Sequence, residues 1–410
     1  MNTADRSRWQ ILTAAPHRLM FFLGMASLML GSLWWGLHLL ARQTGWPLFA
    51  LDLKVAPIWA HTFLMLFTVF PAFFCGFLFT VFPRWMNGPL VPRGAYVATG
   101  LLLASATSVW LTGIHVAPSL QVLAGLLALG GLLTATAALT RVLLDANQSV
   151  PHAYVVLTGL SVEIVALAGF TFSIATANDV ALHFAVRTAL WGGLLPVFFA
   201  VCHRMIPFFS QNAVPNYVAW RPPWILFAVV ALAYARLLVG TAGALSVLVV
   251  LDIVMFALTA LCTIRWTSLQ ARGNPLAWTL YAGFAWLPVA ILLQAARDLG
   301  FVVTGQWLLG RAPIHALGMG FFAGMLVAMV TRVTMGHSGR PLNMDRITLV
   351  CFLGLQAAAV ARVGSEVVTA PGWVQALLLT SMALWLAAFG VWTWRFSSIY
   401  LAPRSDGQPG

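Results

Sequence analysis

Nine histidines in a chain this apolar are the first place to look for chemistry. His38, His61, His183 and His315 fall near one end of four separate apolar runs. His61 stands four residues after Pro57, His183 two after Ala181 and His315 three after Ala312. At a rise of about 1.5 Å per residue, these three lie at similar depth below one membrane surface, the outer one in the topology argued below. Neutral imidazoles at matched depth on different helices suit iron or copper, and facing helices can offer a haem one axial ligand on each side. For any one of them, an interfacial imidazole bonded to water or a backbone carbonyl is the alternative. His17, His203 and His337 lie toward the inner surface. There His203 and Arg204, with His337 and Arg340, form a second constellation suited to an anion, a quinone-like head group or a second metal, or else a plain basic loop. His115 and His152 read as loop or interface residues.

Charged residues inside apolar runs add to this picture, because a buried charge in a membrane span costs several kcal/mol unless paired or wet. Arg187 follows His183 by four residues and shares its helical face. Arg236 lies five residues short of the outer end of its run. Haem propionates facing outward would satisfy both guanidiniums bidentately. Arg297 and Arg362, at outer ends, suit snorkelling to headgroups. Few carboxylates are at hand: Asp298 and Glu366 nearby, and Asp252 deeper. Glu163 and Asp252 sit near mid-span, where a carboxyl is protonated or paired; a proton relay and a structural hydrogen bond both remain open.

These residues are carried by elements that composition identifies. Of 410 residues, 61% are hydrophobic and 8% charged, with mean hydropathy +0.90. That excludes a soluble globular enzyme, a disordered chain, a secreted scaffold and an outer-membrane barrel. Unbroken apolar runs of about 20 residues predict an all-α polytopic bundle of about twelve membrane helices. The spans expected are 19–41, 57–82, 94–114, 119–140, 153–176, 181–206, 223–241, 243–264, 275–296, 312–334, 347–368 and 372–395. The first is expected to be an uncleaved anchor. The whole chain, 1–410, reads as a single membrane domain with a cytoplasmic segment 1–18 and a cytoplasmic tail 396–410. The 22 basic residues, all Arg except Lys54, divide 15 to 7 when the N-terminus is placed inside, which favours both termini in the cytoplasm. The net charge of +12 is scattered at helix ends, so lipid headgroups rather than nucleic acid are the expected partners. Cys75, Cys202, Cys262 and Cys351 form no C-x-x-C and read as small buried hydrophobes. No strong internal repeat is visible.

Three segments carry a family resemblance. They are Trp59-Ala60-His61 followed by Gly76-Phe77-Leu78-Phe79-Thr80-Val81-Phe82-Pro83-Arg84-Trp85; Arg204-Met205-Ile206-Pro207-Phe208-Phe209-Ser210; and His315-Ala316-Leu317-Gly318 running through Met329-Val330-Thr331-Arg332 into Gly336-His337-Ser338-Gly339-Arg340-Pro341. With twelve spans, this chain resembles the NnrS family of bacterial inner-membrane proteins. The resemblance implies haem and copper as cofactors, and a setting in nitric oxide metabolism and defence against nitrosative stress, without defining a reaction. The family's second-span motif commonly reads His-Ala-His-Glu-Met, and here those positions are Trp59, Ala60, His61, Thr62 and Phe63. A haem site needing one histidine from that span survives the change; a copper site needing both histidines or the Glu does not. By analogy, the haem-copper oxidases and nitric oxide reductases hold a low-spin haem through histidines of their second and tenth helices. The binuclear centre of that superfamily is not supported, because span 223–241 has no His and Leu317 stands two past His315.

The expectation is therefore a membrane protein with a b-type haem held by His61 and His315, its propionates met by Arg187 and Arg236. His183, His203 and His337 are further metal-ligand candidates, and copper is a second cofactor that the resemblance implies. Expected partners are membrane lipid, haem, and nitric oxide or a respiratory-chain component. Alternatives are a transporter of a small solute or metal, and a non-catalytic subunit of a respiratory complex. Whether the protein is an enzyme is left open.

Overall fold

Helix ends in this chain are set by proline and glycine. Seven of the long helices begin with Pro at the first helical position, where its missing N–H costs nothing. A computed structural model of the chain describes residues 7–45 and 53–408. Among these residues, twelve helices are long and apolar enough to cross a membrane, and no strand occurs. They are α1 Pro16–Thr44, α2 Pro57–Met86, α3 Arg93–Gly113, α4 Pro118–Leu144, α5 Pro151–Thr176, α6 Asp179–Gln211, α7 Pro223–Thr241, α8 Leu245–Trp266, α9 Pro275–Thr304, α10 Ala312–His337, α11 Arg346–Gly364 and α12 Pro371–Leu401. The protein is thus a multi-pass helical membrane protein. The chain forms two compact units. The first comprises Met1–Val197, Val333–Pro341 and Thr393–Gly410; the second comprises Phe198–Arg332 and Leu342–Trp392.

Helices α2, α6 and α10 are the most deeply buried of the twelve. They also share an irregularity. Each opens as a regular α-helix bearing a histidine and then widens into a π-helical stretch. These stretches are Leu64–Val69 after His61, Thr188–Leu194 after His183 and Ala316–Ala323 after His315. Beyond them α-helix resumes. The pattern returns every fourth helix, a periodicity that no residue-level repeat revealed. π-helical turns are rare and are found mostly at functional sites.

In lipid, apolar side chains gain little by leaving one greasy neighbour for another, so association rests on close packing and hydrogen bonds. In the first unit, Gly76 of α2 lies where any side chain would strike Met20 and Phe21 of α1, and Gly131 of α4 packs on Leu103 of α3. Phe63 stacks on Trp110 with centroids 3.8 Å apart, and Phe170 joins them. In the second unit, Gly283 of α9 meets the backbone of Gly324 and Met325 in α10. Phe284 meets Phe321 edge to face and Trp266 at a tilt around that crossing. Buried hydroxyls such as Thr68, Thr80 and Thr259 bond back to carbonyls four residues earlier. All four cysteines are buried thiols, as expected for small hydrophobes.

Candidate functional site

His61 lies one turn into α2, in the first unit, half-buried beside a group of indoles. Its ring stacks on Trp35 of α1 with centroids 4.5 Å apart and planes 17° off parallel. Trp35 also stacks with His38, and Trp34 donates its indole N–H to His115 Nε2 at 3.3 Å. Trp59, at the position where the resemblance implies another histidine, packs against the ring of His183 at 4.8 Å, edge to face. The first unit therefore gathers His38, His61, His115 and His183 among three tryptophans at one end. His115, expected as a loop or interface residue, belongs to this set.

His315 belongs to the second unit, on the last α-helical residue before its π-helical stretch. Its Nδ1 lies 3.0 Å from the carbonyl of Arg311. An Nδ1–H donated there leaves the lone pair on Nε2, the tautomer in which an imidazole ligates a metal. Three residues on, Gly318 opens onto unfilled space, with nothing within 4 Å of where a Cβ would stand. A flat macrocycle beside the His315 ring would need such an opening. These two features fit a haem ligand.

Copper finds less support. Among the described residues, no three or more His, Cys, Asp or Glu side chains converge as a metal-binding group. The indole, hydroxyl and phenyl of Trp59, Thr62 and Phe63 are poor substitutes for imidazole, carboxylate and thioether.

The arginines separate by environment. Arg187 is exposed on α6, on the same face as His183, and has no ion-pair partner among the described residues. Arg236 is buried, and its charge is met inside the second unit. Nε lies 2.6 Å from Asp252 Oδ1 of α8 and Nη2 lies 3.1 Å from Asp298 Oδ2 of α9. Gln294 donates to Asp298 Oδ1 at 2.9 Å. Arg297 lies 3.7 Å from the same carboxylate and covers the Trp307 ring at 4.3 Å. Arg362 pairs with Glu366 at 2.7 Å, and Glu366 also accepts the backbone N–H of Arg311. Asp252, read from sequence as a relay or a structural partner, thus serves as counter-ion to Arg236.

Glu163 of α5 is buried, and neither carboxyl oxygen finds a hydrogen-bond partner. Its carboxyl fills the space over Gly193, inside the π-helical stretch of α6, where any side chain would collide with it.

At the opposite end of the helices the expected constellation divides between the units. His203 belongs to the second, fully buried, with Nε2 3.2 Å from the carbonyl of Pro222 and its ring against Trp266. His337 and Arg340 belong to the first, where the partner of His337 is His17, centroids 4.8 Å apart. Sequence reading placed His17 at this surface but did not join it to His337, because 320 residues separate them.

The family comparison covers nearly all of this architecture. A search of curated proteins finds no match. The sequence model of one family, described as NnrS protein, matches residues 11–404, a stretch that holds all twelve helices and every histidine discussed. With nearly its whole length matched, this chain belongs to the NnrS family.

Proposed function

We propose that this is a haem-binding protein of the bacterial inner membrane that serves nitric oxide metabolism or defence against nitrosative stress. In this reading both termini are cytoplasmic, and His61 and His315 are the residues that would hold a b-type haem. The observation that carries it is His315: its Nδ1 is turned to the Arg311 carbonyl, and Gly318 leaves open space one turn away. The shared placement of His61 and His315 just ahead of a π-helical stretch supports pairing them. Haem held there would supply one-electron chemistry and an iron site for nitric oxide. The chain's own part is to fix the tautomer of His315, to hold the ring of His61 against Trp35, and to meet the propionates with Arg187 and Arg236. Because Arg236 is already neutralised by Asp252 and Asp298, Arg187 takes the larger share. His183, four residues from Arg187, is the next ligand candidate, and copper is assigned no step.

The test is a reduced-minus-oxidised spectrum with haem quantitation on wild type, His61→Ala and His315→Ala. Loss of haem, or a changed band, in either variant is the expected result. Full haem with unchanged bands in both refutes the assignment. The buried carboxyl of Glu163 favours a second reading, a transporter of a small solute or metal; purified protein free of any haem band would move the balance to it.

A further inference from the structure

The end of the first unit that holds the start of α1 and the end of α12 is held together by long-range hydrogen bonds. Arg18, near the start of α1, donates to the carbonyls of Tyr400 and Ala402 at the end of α12, at 3.2 and 2.8 Å. Thr334 and Tyr400 share a hydroxyl–hydroxyl bond of 2.7 Å. The tail then turns back over the end of α10. Ser405 donates its N–H to the carbonyl of Ser338 at 3.0 Å. Asp406 lies over Gly339, which has φ +73° and no room for a side chain. Asp406 also clasps Arg404, with bonds of 2.9 and 2.5 Å.

This framework brings a set of nitrogen donors together. His17 and His337 pack ring on ring, and the charges of Arg84 and Arg404 act on both imidazoles. Arg18 is adjacent to His17, and Arg340 lies within electrostatic range of Arg18. Asp406, the carboxylate over Gly339, is already engaged by Arg404. His17 is 4% exposed, yet its Nδ1 has no hydrogen-bond partner, and Nη1 of Arg340 is buried and unbonded as well. A topology bias accounts for arginines at this end of the helices. It does not account for their convergence on two adjoining imidazoles, nor for buried polar nitrogens left without partners, each of which leaves a desolvation cost unrecovered.

We propose that His17, Arg84, His337 and Arg340 form a binding site for a phosphate-type oxyanion, supplied either by an anionic phospholipid headgroup or by free phosphate. An oxyanion would satisfy several donors at once through charge-assisted bonds and offset the surplus positive charge. A metal cation on the same imidazoles would have to enter against four guanidiniums and is disfavoured. Arg18 is bonded to the α12 carbonyls and acts as framework. The site lies wholly within the first unit and is independent of the haem reading.

The experiment uses the full chain in detergent. Sodium phosphate is titrated calorimetrically against a sodium chloride control of equal ionic strength. Separately, retained phospholipid is counted by native mass spectrometry after exchange through nanodiscs of phosphatidylglycerol or of phosphatidylcholine. Wild type is compared with Arg84→Gln, an exposed residue whose loss leaves the fold intact, and with Arg340→Gln. Saturable phosphate binding, weakened about tenfold or more in either variant, supports the site and assigns it to free phosphate. Selective retention of phosphatidylglycerol, lost in the variants, supports the site and assigns it to a headgroup. If wild type binds neither, or if both variants bind as wild type does, the proposal is overturned. Copper uptake that disappears in His337→Ala overturns it in favour of a metal.

Discussion

Removing Arg236 should destabilise the protein far more than removing either of its carboxylates. Among the described residues, the guanidinium is the only cation within bonding distance of Asp252, a residue fully buried between helices. At an effective dielectric of about 20, unit charges at the observed 2.6 and 3.1 Å attract by about 6 and about 5 kcal/mol, before desolvation is subtracted. Most of that gain offsets the cost of taking three charges out of water. Once Arg236 is gone, two carboxylates are left buried beside each other, and loss of one partner from a buried pair typically costs about 3–5 kcal/mol. Arg236→Met is therefore expected to lose about 3–5 kcal/mol. Asp252→Asn, which keeps the shape and leaves Arg236 paired to Asp298, is expected to lose about 1–2 kcal/mol. The double variant Arg236→Met with Asp252→Asn should be more stable than Arg236→Met alone, because one unpaired charge has been removed with its partner. Reversible unfolding in mixed micelles, followed by circular dichroism, gives the three differences. Equal losses for the two single variants, or strictly additive losses in the double, would refute this account of the network.

Other perturbations test other parts of the structure. Gly193→Ala should cost about 1–3 kcal/mol by driving a methyl group into the Glu163 carboxyl, and adding Glu163→Ala should recover most of it; thermal unfolding of the pair decides. Asp406→Ala should free residues 402–408 from the turn at Gly339, visible as faster proteolysis at Arg404 with the helices intact. Its partner Arg404 holds the Asp406 carboxyl down to about 2, so the docking contact is present above the ordinary carboxylate range and is lost only as the pH falls toward 2. Tail proteolysis should thus be the same at pH 7 and pH 4. Reporter fusions at residue 18 and at residue 408 should both report cytoplasm; opposite compartments would sink the proposed orientation.

The helices were legible because their signals are local. Span 223–241 was read with both ends as found, since Pro223 starts α7 and the apolar run stops at Thr241. Span 275–296 fell short of Thr304 because Arg297 and Asp298 look like an end, whereas the structure buries Asp298 against Arg236 and continues to a left-handed glycine at Gly305. Partners for buried charge were partly legible too: Asp298, Glu366 and Asp252 were the few carboxylates near the outer arginines, but which arginine each would meet was not, and Arg236 was assigned to propionates rather than to Asp252 and Asp298. What sequence could not show was the meeting of His17 with His337, or the return of residues 402–408 to Gly339, since nothing local marks a contact across the whole chain. The π-helical stretches were also silent. Leu64–Val69 is as apolar as the α-helix on either side, and hydropathy does not record which carbonyl an amide bonds.

Those stretches make α2, α6 and α10 sensitive to residue number rather than residue type. A π-helical turn is an α-helix accommodating one additional residue, so deleting one residue between Leu64 and Val69, or between Ala316 and Ala323, would let the helix anneal to regular α geometry. The segment carrying the histidine would then rotate by about 100° about the helix axis and shift by about 1.5 Å relative to the rest of the helix. No side chain would have changed in character, yet His61 or His315 would face a different neighbour. Length in these three segments is thus a coordinate that aims an imidazole, and a one-residue deletion there should do more damage than many substitutions of the residues themselves.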